Sequence, residues 1–161
     1  MYKKSKAFDS QNVAFWSVAE QQYVCHFRVH DRGFRAVART TSKDFLKWTE
    51  PVIMKGRMEG EHLYTNATHP YFRAPHIYIA PATRFLPKEG TNTRVILMTT
   101  RAGSDTYDRT FGQEDFLPAP AGGNRTNYIA WTNGAQTGPR ELSFYSLGMR
   151  FTLRLDGFGS I

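Results

Sequence analysis

The sequence has almost no sulfur chemistry to offer: Cys25 is its one cysteine among 161 residues. A disulfide framework or a cysteine-rich metal site within the chain is thereby excluded. Cys25 alternates with Tyr23 and Phe27 and reads as a buried small hydrophobe. Long apolar runs are also missing. None approaches the ~20 residues that span a bilayer, so no membrane partner is expected from this stretch. The basic start, Met1 to Lys6, runs into Asp9, Ser10, Gln11 and Asn12 rather than into an apolar signal core. If the full protein is exported, its signal lies outside this chain. Helical periodicity is absent too: no window places apolar residues at i, i+3, i+4 and i+7 between capping signals. Nor is there a charge run. The formal charge is +7, but the arginines are scattered from Arg28 to Arg154, as on a solvated surface. Nucleic acid is therefore not an expected partner, whereas an anionic ligand stays open.

What the sequence does contain is a series of short β patterns. Val13 to Ser17 reads as a strand and Ala19 to Gln22 as a hairpin connection. Tyr23, Cys25, Phe27 and Val29 share one face of the next strand, with Val24, His26 and Arg28 on the other. Asp31-Arg32-Gly33 signals a turn, Phe34 to Thr40 a third strand, and Pro51 to Met54 a fourth extended piece. Asp44 and Asp105 fall at turns, where an Asx-type bond is expected of each. Trp48 is expected to pack between units. A second group follows with Ile77 to Ile79, Arg94 to Thr100 and the turn Gly103 to Asp108. A third comprises Asn127 to Trp131, Glu141 to Tyr145 and Arg150 to Leu155. The fold class is all-β. Four short strands per ~50–60 residues have the size of a propeller blade, and about two and a half to three such units are present. The reading is one domain over residues 1–161, a partial five-bladed β-propeller and so a fragment of one.

The chemistry concentrates between Glu61 and Ala80, which holds His62, His69, His76, Glu61, Arg73 and three tyrosines. Titratable groups in that density are costly to bury without partners. Glu61 lies among aromatic residues, where partial burial would raise its pKa toward general-acid use; its bland alternative is a carboxylate paired with His62 or an arginine. Asp9 is the candidate second carboxylate, or else a turn residue accepting from the backbone near Gln11. Arg73 suits a sugar carboxylate or sulfate through its planar fork, or else an ion pair with Glu61 or Asp9. His76 joins it as an orienting group, while Tyr64, Asn66 and Trp16 complete the candidate ligand-binding set. The seven-residue spacing of the three histidines lacks helical zinc geometry, and neither a metal nor a cofactor is expected. Asn66-Ala67-Thr68 and Asn124-Arg125-Thr126 fit the N-glycosylation pattern.

Several of these stretches resemble a known family. Phe8 to Trp16, followed by Tyr23 to Arg28, resembles the blade of five-bladed glycoside hydrolases that opens on Arg-Asp-Pro. Thr41 to Trp48 is similar to their Ser-x-Asp-Leu-x-x-Trp turn, and Arg73-Ala74-Pro75-His76 falls where they carry Glu-Cys-Pro or Glu-Ala-Pro. The order resembles glycoside hydrolase family 32 and its relatives, families 43 and 68, and more narrowly the bacterial proteins described as family-32-like. The resemblance implies a carbohydrate-active protein that hydrolyses glycosidic bonds in an oligo- or polysaccharide, with Asp9 matching the second family acid. It implies exported full-length relatives and further blades or domains as partners. The departures point to an alternative. There is no Asn-Asp-Pro-Asn motif, and Arg73 stands at the general-acid position. Arginine, with a pKa above ~12, donates no proton at neutral pH. A glycan-binding or scaffold propeller that has lost catalysis is the second reading.

Overall fold

The computed structural model describes residues 7–89, 92–110, 114–117, 134–146 and 149–154. Every regular element among them is a β-strand, and all the strand pairing is antiparallel. The first sheet runs in chain order, β1 (Val13–Ser17), β2 (Gln22–Asp31), β3 (Phe34–Ser42) and β4 (Val52–Ile53). The expected turn at Arg32-Gly33 is a two-residue hairpin. Both residues have positive φ, 49° and 86°, and Asp31 pairs with Phe34, the backbone twist that a tight hairpin needs. Asp44 forms the expected Asx turn, its Oδ1 accepting from the amides of Leu46 at 2.9 Å and Lys47 at 2.7 Å.

The alternation read in β2 decides which face does what. Cys25, Phe27 and Val29, with Ala36 and Ala38 from β3, form an apolar cluster on the outer face. Trp48 packs there, on the outside of the first sheet and not between sheets, and its Nε1 donates to the Phe45 carbonyl at 3.0 Å. The inner face is more polar than a strand core usually is: His26 and Arg28 are buried there beside Val24.

The second sheet is built on β7 (Ala74–Leu86). On one side it pairs with β5 (His62–Asn66) and β6 (His69–Tyr71), two pieces of one broken edge. On the other it pairs with β8 (Asn92–Arg101) over ten consecutive positions. Residues 108 and 117 touch the far edge of β8 by single bridges. The turn bond expected of Asp105 is made by Ser104, whose Oγ accepts from the Thr106 amide at 3.1 Å. Asp105 pairs with Lys55 at 2.9 Å instead. The third sheet has the order β11–β10–β9, from β9 (Ala135–Gly138), β10 (Glu141–Ser146) and β11 (Met149–Arg154). The strand expected at 127–131 lies outside the described residues, as does the sequence pattern at 124–126.

The three sheets stack through two cores. Val37 and Met54 meet Leu63, Ala80, Ala82, Ile96, Met98 and Tyr107 between the first and second. Ala67 and Val95 meet Leu142 and Phe144 between the second and third. Lys55 ties the first pair together by backbone, donating to the Asp105 carbonyl at 2.7 Å and accepting from the Tyr107 amide at 3.0 Å. The seam between the first and second sheets carries much of the chemistry that follows.

Candidate functional site

Glu61 sits just before β5, after the positive-φ Gly60, and its carboxylate is almost enclosed, with 5% of its side chain exposed. Arg84 Nε reaches Oε1 at 2.8 Å, Arg109 reaches both oxygens at 2.9 Å, and the Met58 amide donates at 3.1 Å. Burial pushes the carboxyl up. Arg109, Met58 and Arg84 more than offset it and hold the group below the usual carboxylate range. The raised pKa expected of Glu61 is therefore corrected: two guanidiniums keep it ionised, and an ionised carboxylate cannot serve as a general acid.

Asp9 is placed by a short loop. Phe8 has φ of 60°, Asn12 Nδ2 donates to the Phe8 carbonyl at 3.2 Å, and Ser10 Oγ donates to the Tyr64 carbonyl at 2.8 Å. Among the described residues Asp9 accepts no backbone amide; Asn12 Oδ1 does, receiving the Arg28 amide of β2 at 3.2 Å. Asp9 pairs with Arg28, whose side chain is 3% exposed against 62% for Asp9. The Arg28 guanidinium lies 5.2 Å from the centre of the Tyr64 ring. Arg35 lies at the same distance from Tyr64 and 4.7 Å from the Phe85 ring. His62 completes the group, its Nδ1 accepting from the Arg35 amide at 3.2 Å. Asp9 and Tyr64 are thus brought together, with Arg28 between them.

The other sequence candidates go elsewhere. Arg73 is exposed in the turn between β6 and β7, and His76 is exposed near the start of β7. Neither Glu61 nor Asp9 pairs with Arg73. His62 pairs with Phe85, nine residues along β7 from His76, which at ~3.3 Å per residue puts the Glu61 and His76 ends ~30 Å apart along the strand. Asn66 is fully buried and cannot touch a ligand at the surface. Trp16 is 44% exposed on the outer face of the first sheet, the first of a row of rings: Trp16 to Tyr23 at 4.9 Å, Tyr23 to Phe45 at 5.0 Å and Phe45 to Trp48 at 5.2 Å.

At the His76 end of β7, largely on the face turned away from the first sheet, lies a groove of about 390 Å³. Ile77, Thr100, Arg101, Ser104, Thr106 and Asp108 line it. Arg101 makes no ion pair among the described residues. Beside the groove, Glu20 in the β1–β2 turn accepts from the Gly103 backbone, from Tyr78 OH at 2.7 Å, from Gln22 at 3.1 Å and from Arg39. Ser17 Oγ lies 2.6 Å from the same phenol. Burial raises the Glu20 pKa, but these donors outweigh it and lower the group to about 2. Next to this network His26 is fully buried, neither ring nitrogen having a partner among the described residues. Burial and then the Arg39 charge depress it to about 3. Sequence reasoning misses Glu20, Arg39, Tyr78 and His26, which read as turn or strand residues. His26 faces Arg39 across β2 and β3 on the inward face, a pairing that no local sequence pattern specifies.

Comparison with family models, curated proteins and solved structures finds no match. Among the described residues no three His, Cys, Asp or Glu side chains converge as a metal site would require.

Proposed function

We propose that the chain is a glycan-binding module on a partial β-propeller scaffold and that it binds without cleaving. The observation that carries this reading is the groove beside His76. Its size falls within the range of ligand pockets, roughly 300–1,000 Å³. Its hydroxyls (Thr100, Ser104 and Thr106) and the opposite charges of Arg101 and Asp108, which do not pair with each other, suit a polyhydroxylated ligand, which needs several donors and acceptors at fixed positions. Glycoside hydrolysis in either of its usual forms needs two carboxyl groups across the scissile bond. This groove is lined by one, Asp108, while Glu61 and Asp9 are each committed to arginines elsewhere. Stacking of three blade-sized antiparallel sheets supports the propeller part of the proposal, and the likeness of residues 8–48 to family-32 blades supports the glycan part.

The test is titration of a panel of neutral and acidic oligosaccharides, read by calorimetry and by reducing-sugar release. Saturable binding that falls about tenfold in Arg101→Ala, with no release, is expected for loss of a charged hydrogen-bonding group. Release of product from any panel member would favour the hydrolase reading instead. An absence of saturable binding across the panel would end the glycan reading.

A further inference from the structure

At the Glu61 end of the seam the charges do not balance. Three guanidiniums, Arg28, Arg35 and Arg57, gather around Tyr64, Phe34 and His62. Two carboxylates answer them: Asp9 takes Arg28, and Asp31 takes Arg57 at 3.1 Å. Arg35 is left over. Among the described residues no carboxylate stands within ion-pair reach of it. Its side-chain partners are His62, at 3.4 Å from one terminal nitrogen, and the faces of Tyr64 and Phe85. Among the described residues the Nε groups of both Arg28 and Arg35 are buried without an acceptor. His62 supplies no counter-charge either. Its Nδ1 accepts the Arg35 amide, so the ring is neutral with its proton on Nε2, a state favoured by burial and by the charges of Arg35, Arg57 and His30.

A half-buried guanidinium packed between two aromatic faces has given up part of its hydration. No described carboxylate neutralises it, so an anion from solution would supply the missing counter-charge. The companion carboxylate, Asp9, is the most exposed member of the group, so the cluster opens to solvent on that side.

We infer that Arg35 and Arg28, flanking Tyr64, form a binding site for a small oxyanion group: a carboxylate, a sulfate or a phosphate. Arg35 meets the anion with its terminal nitrogens, in the planar fork geometry that matches two oxygens at once. Arg28 is shared between the anion and Asp9. The site lies at the far end of β7 from the Arg101 groove and does not depend on that groove binding anything.

The test is thermal unfolding of the chain at constant ionic strength in chloride, with sulfate, phosphate or glucuronate exchanged in. A saturable rise in Tm is expected for one of the three anions. Sulfate or phosphate producing it assigns the site to a tetrahedral anion, and glucuronate to a carboxylate. Arg35→Gln should weaken the midpoint about tenfold, and Arg35→Lys, which keeps the charge but loses the fork, should fall between. Asp9→Asn acts in the opposite sense: with the competing carboxylate gone, the anion should bind several-fold tighter. If Arg35→Gln does not fold, the Lys and Asn variants carry the comparison. A rise that does not saturate, that persists unchanged in the Arg35 variants, or that is no tighter in Asp9→Asn would overturn the assignment, as would the absence of any rise.

Discussion

Arg109 holds Glu61 by both oxygens, each at 2.9 Å, while Arg84 adds a third bond to Oε1 at 2.8 Å. The two arginines lie 48 and 23 positions from Glu61 in the chain, and the carboxylate is the common partner of two otherwise like-charged neighbours. Replacing Glu61 by Gln leaves both guanidiniums facing each other in a nearly closed space. The expected result is a loss of roughly 3 kcal/mol in stability, the size seen when one member of a buried pair is removed, measured by urea unfolding. A variant as stable as the parent would show that the pairing contributes nothing net.

Acid should weaken the fold in two stages. The folded state holds His26 at about 3, below its ordinary 6.5. Between those values the unfolded chain binds the extra proton, so stability is full above pH 6.5 and declines below it, by up to about 1.4 kcal/mol per pH unit. Glu20, lowered from 4.5 to about 2, adds a second decline below pH 4.5. His26→Leu should flatten the slope between pH 6.5 and 5 by one proton. It should cost little at neutral pH, since neither ring nitrogen has a partner among the described residues. An unchanged slope in that variant would remove His26 from the account.

The Tyr78 phenol bridges Ser17 and Glu20, at 2.6 and 2.7 Å. Among the described residues the Tyr107 phenol meets Thr68 alone, at 3.0 Å. Tyr78→Phe is therefore expected to cost ~1–2 kcal/mol, because it takes one hydrogen bond from each of two partners that keep their other donors. Tyr107→Phe should cost less. Equal effects in denaturant titrations would contradict the bridging role.

Two glycines with similar backbone angles should respond differently to alanine. Gly33 has φ of +86° with nothing within 4 Å of the position a Cβ would take. Gly56 has φ of +92°, and its Cβ would lie 2.6 Å from the Tyr107 carbonyl oxygen. Gly33→Ala should cost ~1–2 kcal/mol from the left-handed backbone alone. Gly56→Ala should cost distinctly more, since it forces apart the Lys55–Tyr107 backbone contact that joins two sheets. Matching melting temperatures for the two variants would argue that this junction yields.

Local chemistry makes the first sheet legible in the sequence. The period-2 pattern of β2, the Arg32-Gly33 hairpin and the Asp44 turn are each decided by residues within a few positions of one another. The candidate site is not local in that sense. Glu61 reads as an acid because its neighbours in sequence are aromatic, yet its state is set by Arg84 and Arg109. Tyr64 is legible as an aromatic near the chemistry, but its guanidinium neighbours come from β2 and β3. Arg73 and His76 share a stretch with Glu61, and the length of β7 carries them away from it. Adjacency in sequence misleads wherever a long strand intervenes.

The burial of Asn66 bears on how the protein can be made. Asn66, Ala67 and Thr68 spell an acceptor sequence, yet the asparagine and the threonine are both closed off from solvent in the folded chain. A secretory host modifies that sequence on the nascent polypeptide, before the sheets have formed. A glycan attached at that stage cannot be accommodated at the buried end of β5, so yeast or insect secretion should yield aggregated or degraded product, and Asn66→Ser or a bacterial host should restore the yield.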